Sequence, residues 1–295
     1  MPKIQMLMAA LAAAALAQPA QARPRPAPPG ELLLKAPTSE PVPAESDYRT
    51  PDPQNVLVID TNKGRIIVEM TPLVAPASVE RIKTLTRQHF YDGQSFFRVI
   101  DGFMDQTGDP QNTGVGGSTL PSLPAEFTFR RGSDAPFVVS ETEEGSEAGY
   151  IGAFPAISQA LQLAQITADH RVRAYGAFCA GVMGMARAAA PDSGNSQFFL
   201  MRGDKRDLDA QYTAWGRVIA GQDVVDAIKT GEPVVAPQDR MISVSILADM
   251  PAASRPSVRV VDAASPWFRA KVARSIAEKV VGWTPCDVSF PSQVR

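Results

Sequence analysis

Two β-rich runs begin the regular pattern of this chain. Residues 56–60 and 65–70 flank Asn62-Lys63-Gly64, three residues with turn chemistry, and predict a hairpin. Pro76-Ala77-Ser78 then opens a helical pattern that puts Val79, Ile82 and Leu85 on one face up to about residue 88, and Tyr91-Asp92-Gly93 stops it. Short apolar runs at 95–100, 103–107, 127–129, 181–186, 197–201 and 215–219 are strand candidates. A short helix over 222–228 and a last strand over 241–247 complete the pattern. Short strands in this number with only two helices predict a mainly β fold, an antiparallel barrel or a sandwich. Closure into a barrel is favoured because it removes unpaired strand edges.

The flanks read differently. Residues 1–22 carry Lys3, an uncharged apolar run over 4–16, and small-x-small sites ending at Ala17 and Ala22, the pattern of a signal peptide; the alternative is an Ala-rich leader. The apolar run is too short to cross a bilayer core of ~30 Å as a helix. Residues 23–53 hold nine of the 26 prolines and predict an extended, mobile spacer. The chain is 44% apolar and 20% charged with a net charge of −2, so it can bury a core and has no basic field that calls for nucleic acid or an anionic membrane. No metal site is expected, because the two histidines and two cysteines, at 89, 170, 179 and 286, are not spaced as zinc ligands. After export, Cys179 and Cys286 would meet an oxidising compartment and could form one disulfide; otherwise they are two free buried thiols.

Two segments carry candidate chemistry. One runs from Phe96-Phe97-Arg98 through Gly102-Phe103-Met104-Asp105-Gln106 to Asp109; the other joins Met185-Ala186-Arg187 to Gln197-Phe198-Phe199. Strand side chains alternate faces, so Met104 and Gln106 share one face, and Gln197 and Phe199 share another. On neighbouring strands they would form a patch with a guanidinium, two amides, a thioether and an aromatic floor. Arg98 in such company either serves a ligand or is satisfied by a local carboxylate such as Asp101. Gly114-Val115-Gly116-Gly117 is not a phosphate loop, since Pro121 and Pro124 follow and no helix opens there. His89 and His170 lack the context of a hydrolase triad.

In wording and order these segments, with Pro124-Ala125-Glu126-Phe127 and Gln211-Tyr212-Thr213-Ala214-Trp215-Gly216, resemble the signature of the cyclophilin-type peptidyl-prolyl cis-trans isomerases over roughly residues 54–131 and 176–248. The resemblance implies a closed eight-stranded antiparallel β-barrel capped by two helices, with the site on its outer face. It implies that Arg98 is catalytic with Gln106 beside it. It assigns Phe103, Met104, Phe199 and Leu208 to a proline pocket, Gln197 to substrate orientation, and Ala186 and Arg187 to the peptide backbone. Tyr212 stands where many members have histidine, and Arg187 where asparagine is usual, which predicts an altered subsite preference. The implied partners are proline-containing unfolded or partly folded polypeptides. No cofactor, metal, nucleic acid or stable membrane insertion is implied, and a monomer in the periplasm is expected. A catalytically weak binding module, a holdase for unfolded exported proteins, is the alternative of a different class.

Two departures shape the expected organisation: a signal peptide (1–22), a spacer (23–53), an isomerase domain (54–248) and a C-terminal extension (249–295). Within the domain, about 131–175 reads as an insertion with Glu141, Glu143, Glu144 and Glu147 among turn residues. Ile157, Leu161 and Ala164 at helical spacing predict a helix over 156–167. In the extension, 258–261 predicts an added strand, and Ser265-Pro266 caps an amphipathic helix with Phe268, Val272, Ile276 and Val280 on its apolar face.

Overall fold

The turn at Asn62-Lys63-Gly64 is closed by the residue before it. Thr61 Oγ1 donates to the Gly64 carbonyl at 2.8 Å and accepts from the Lys63 and Gly64 N–H groups. The computed structural model describes residues 41–279 and 282–295, so the expected signal peptide, most of the proline-rich stretch and Val280 lie outside the described residues. In chain order the elements are β1 (Tyr48–Arg49), β2 (Val56–Thr61), β3 (Gly64–Met70), α1 (Pro76–Arg87), β4 (Arg98–Ile100) and β5 (Met104–Thr107). Next come β6 (Phe129–Arg131), β7 (Phe137–Glu143), β8 (Ser146–Ile151), β9 (Phe154–Gln159) and β10 (Val172–Gly176). Then follow β11 (Val182–Met185), β12 (Phe198–Met201), β13 (Ala214–Ala220), α2 (Gln222–Asp226), β14 (Met241–Ile246), β15 (Val258–Val261), α3 (Pro266–Glu278) and β16 (Ser292–Val294).

Eight strands form the principal sheet in the order β14-β2-β3-β13-β11-β12-β5-β4, every pair antiparallel. Its concave side buries Leu57, Ile59, Ile66, Val68, Phe198 and Trp215 against Val79, Ile82 and Leu85 of α1 and Val225 of α2. Ala75 has no side-chain oxygen to cap α1. The Glu126 carboxylate does so from 48 residues away, accepting from the Ala77 and Ser78 N–H groups at 2.8 and 2.9 Å. The expected closed barrel is not found. Strands β4 and β14 are the two edges of an open half-barrel and share no ladder. Strand β4 is three residues long, and Val99 exchanges both backbone hydrogen bonds with Gly231 of the loop before β14. That loop takes the bonds a closing strand would have made.

The segment expected as an insertion folds as a second sheet, β6-β10-β9-β8-β7. Of the run at 127–129, expected as a barrel strand, only Phe129 lies in a strand, at the start of this sheet's edge strand β6. The helix expected over 156–167 is replaced by β9 and a 3-10 turn, Leu161–Ile166. There, pairing of β9 with both β8 and β10 overrides helical spacing of the apolar positions. Glu147 is buried, not solvated, and pairs with the buried Arg131, whose guanidinium lies 4.0 Å from the Phe137 ring centroid. Phe129, Phe154 and Ala174 of this sheet share one apolar cluster with Met104, Phe178 and Phe199.

A third sheet, β1-β15-β16, covers the convex side of the hairpin. Val56, Val58 and Ile67 alternate with the concave set and pack on Ile219, Val258 and Val260. The stretch expected to stay a mobile spacer to residue 53 is docked from about residue 44: Asp47 caps the Ala44 N–H, and Arg49 makes a two-pronged bond to Glu69 at 2.6 and 2.7 Å. Ser265 Oγ accepts from the Phe268 N–H at 3.1 Å and starts α3, which buries Phe268 and Val272 against Tyr150 and Trp283. Residues 42–295 cluster as one unit, and Cys179 is bonded to Cys286 across a sequence separation of 107.

A cross-link over that span restricts the unfolded chain, which the loop-entropy model values at about 4–5 kcal/mol. Reduction, or the paired substitution Cys179→Ser/Cys286→Ser, is expected to lower unfolding stability by an amount approaching this figure. Urea unfolding of oxidised and reduced protein measures it, and coincident midpoints would contradict the expectation.

Candidate functional site

Strand register assembles the site. Arg98 of β4 stands opposite Gln106 of β5, Gln106 opposite Phe199 of β12, and Phe199 opposite Gly184 of β11. Residues directly opposite in a ladder project to the same face, so a guanidinium, an amide and an aromatic ring form one row across four strands. Two residues along β5, Met104 projects to that face between Ile100 and Met201. Gly184 closes the row because the Phe199 ring lies over it: a Cβ there would sit 2.2 Å from Phe199 Cζ. Phe178 stacks on Phe199 at 6.0 Å, and Tyr212 meets it edge-on at 6.0 Å.

The resulting pocket, about 110 Å³, is lined by Arg98, Phe103, Met104, Gln106, Ala186, Arg187, Phe199, Leu208 and Tyr212. It is far smaller than the ~300–1,000 Å³ of sites for drug-sized ligands and suits one small apolar ring. Nine of the ten residues singled out for catalysis or substrate binding thus line one cavity, and the tenth, Gln197, stands one hydrogen bond behind it. Arg98 Nη1 donates to Gln106 Oε1 at 3.2 Å, and Gln106 Nε2 donates to Gln197 Oε1 at 2.9 Å. Gln197 Nε2 then donates to the Gly114 and Gly116 carbonyls at 3.0 and 2.7 Å. This chain fixes both amide orientations, so an oxygen faces the guanidinium. Arg98 Nε also donates to Glu232 Oε1 at 2.6 Å, in an ion pair whose side chains are 35% and 56% exposed. The local carboxylate considered from the sequence, Asp101, lies 3.4 Å from Arg202 instead.

A second depression of about 400 Å³ adjoins the pocket and shares Gln106, Ala186 and Arg187 with it. Its wall is the loop Gly114–Ser118, wrapped on the buried Asp109 carboxylate. Burial raises that carboxyl, but N–H donors from Gln111, Thr113 and Gly114 outweigh it and hold it below the usual range. A Cβ on Gly116 would meet Asp109 Oδ1 at 2.0 Å, so the loop can lie this close only with glycine there. Behind Met104 and Gln106, Asp105 is fully buried beside Arg202, with Oδ2 unpartnered among the described residues. Burial, opposed by Arg202, pushes its carboxyl up to about 7. Among the described residues the one cluster with metal-ligand spacing is Cys179, Cys286 and Asp204, and its two sulfurs are bonded to each other.

A family model described as cyclophilin type peptidyl-prolyl cis-trans isomerase/CLD matches residues 56–247. The chain belongs to that family. A relative named "Probable peptidyl-prolyl cis-trans isomerase" from Brucella suis is 34% identical over 213 residues, 67% of this chain and 85% of its own length. The crystal structure of the cyclophilin AquaCyp293 from Hirschia baltica is similar at a TM-score of 0.76 and 34% identity, over 84% of this chain and 93% of that one. A peptidyl-prolyl cis-trans isomerase of Arabidopsis thaliana is 29% identical over 179 residues, 60% of this chain and 21% of its own. This cyclophilin is therefore an enzyme that catalyses rotation about the bond preceding proline. Gly184 and Glu232 were not singled out from the sequence as site residues. A glycine in a strand offered one weak signal, close approach of another group; Glu232, 134 residues from Arg98, offered none.

Two outcomes follow from this geometry. Gly184→Ala is expected to push the Phe199 ring out of place and cut kcat/KM by about 10–100-fold, as a misplacement near 1 Å does; a prolyl-peptide assay at constant circular dichroism reads it. For Asp105, the folded state holds a proton up to about pH 7 that the unfolded state gives up near 3.8. Stability relative to Asp105→Asn is therefore expected to fall, by up to about 4 kcal/mol, as pH rises from about 4 to about 7, and then level off. Urea unfolding of both proteins across that range checks the sign.

Proposed function

We propose that this cyclophilin acts on exported polypeptides and that Arg98 is its catalytic group. Rotation about an X–Pro bond meets a barrier of ~18–20 kcal/mol because the nitrogen lone pair is delocalised into the carbonyl. In the twisted state the lone pair returns to nitrogen. A guanidinium that donates to the prolyl nitrogen or to the rotating carbonyl favours that state over the planar one, and this difference is what accelerates the reaction. Reaching turnover of ~10–10³ s⁻¹ from an uncatalysed exchange of tens of seconds takes about 4–7 kcal/mol. Arginine suits the task because it stays charged and its fork is rigid.

The observation that carries this reading is the shared wall: Arg98 lines the same 110 Å³ cavity as Phe103, Met104, Phe199 and Leu208. A proline ring seated there leaves its amide beside the guanidinium, which the Gln106–Gln197 chain steadies. The Glu232 pair does not lock the arginine away. An ion pair as exposed as this one contributes about 0–1 kcal/mol, which a bound peptide can displace or share. The signal-peptide pattern of residues 1–22 and the Cys179–Cys286 bond support export to an oxidising compartment such as the periplasm. We read 131–175 as an insertion that buttresses the pocket from behind, since Phe154 and Ala174 share an apolar cluster with Phe199 and Met104. The Tyr150 and Phe268 contact ties it to the C-terminal extension.

Arg98→Ala is expected to keep its fold and lose about 10²–10³-fold in kcat/KM on a prolyl peptide. A variant as fast as the parent would move the catalytic role elsewhere. A parent no faster than the uncatalysed rate would favour the holdase reading.

A further inference from the structure

The two guanidiniums on the substrate surface are treated differently. Arg98 has the Glu232 carboxylate at 2.6 Å. Arg187 has only neutral acceptors among the described residues. Its Nη1 donates to the Ala188 and Ala189 carbonyls at 3.0 and 3.3 Å, and its Nε and Nη2 donate to the Gln211 carbonyl at 3.4 and 3.2 Å. Its plane is held against two rings, with Cζ 4.4 Å from the Tyr212 centroid and 5.4 Å from that of Phe127. Carbonyl dipoles and aromatic faces orient a cation without cancelling its charge.

That charge stands at the lip common to the proline pocket and the 400 Å³ depression beside it. The depression is walled by the Gly114–Ser118 loop, Ser193, Asn195 and the two glutamines, so Arg187 is the one ionised group in its lining. The acid beneath the wall, Asp109, is fully buried, and its oxygens accept from the backbone N–H groups of Gln111, Thr113, Gly114 and Gly116. Three extended residues reach ~10 Å, enough to pass from one cavity to its neighbour. A side chain seated in that depression would therefore meet a fixed, half-buried positive charge and no acidic group in the lining.

We propose that Arg187 makes this isomerase select peptides with a carboxylate side chain, Asp or Glu, within three residues of the isomerised proline, seated in the second depression. The proposal rests on placing the proline ring in the smaller pocket. A near-surface ion pair of this kind changes affinity by a few-fold and weakens with salt.

The test uses the full chain and a peptide with one Ala-Pro bond, with Glu or Lys placed singly at each of three positions on either side. Exchange spectroscopy gives kcat/KM for each peptide. At one position the Glu/Lys ratio is expected to be about three- to ten-fold at about 0.02 M salt and to approach unity at about 0.5 M. The ratio is internal to each protein, so a general change in activity does not mask it. Arg187→Glu is expected to invert it and Arg187→Gln to bring it to unity. Arg187→Lys, which keeps the charge but loses the forked bonds to the carbonyls, is expected to retain it. A ratio unchanged in Arg187→Glu, or lost equally in the lysine and glutamine variants, would overturn the proposal and leave Arg187 a strut for the loops at 188–189 and 211. If the parent protein accelerated none of the peptides, including one with alanine throughout, the fault would lie in the proline-pocket assignment instead.

Discussion

The ladder register of β4, β5, β12 and β11 is the constraint on which the site depends. A slip of one residue in any of these strands would send Arg98, Gln106 or Phe199 to the opposite face and break the row. The same register puts Asp105 and Thr107 inside, where neither is accessible to water. The side chains that fix the row from within are apolar and closely fitted: Tyr91 meets Phe198 edge-on at 5.3 Å, and Phe198 meets Trp215 at 5.8 Å. The geometry of this row on the half-barrel is thus a by-product of how its concave core packs.

Polar chemistry is added to that frame with little freedom. Gln106 and Gln197 each use both ends of their amide, and the final acceptors are backbone carbonyls of a loop wound on one buried carboxylate. The orientation of the guanidinium therefore traces back through four successive hydrogen bonds to Asp109. Glu232 sits outside this sequence of contacts, half-exposed, and holds the other edge of the guanidinium through Nε.

Much of this was legible in the residue pattern where structure is local. The turn at 62–64 and the Ser265 cap of α3 each depend on neighbours within a few residues, and Pro76 marks the start of α1 although its cap, Glu126, is distant. Two-residue alternation also put Met104 with Gln106, and Gln197 with Phe199, and three of these four line the small pocket. What could not be read depends on distant partners. β4 meets a loop rather than β14, because Val99 bonds to Gly231. The apolar spacing at 157, 161 and 164 fits a helix until β8 and β10 claim the first of those residues. Glu147 looks like surface charge until Arg131 is brought to it across the sheet.

The hairpin of β2 and β3 is apolar on both sides, with Leu57 and Ile59 facing the concave core and Val56 and Val58 facing β15. An ordinary half-barrel of this design could present that second side to water. Here it could not, so the polypeptide after residue 247 is bound into the solubility of the enzyme itself. Trimming the chain to its family-matched core would uncover a greasy strip along an otherwise intact sheet, and copies of the shortened protein would meet one another there before they met a client.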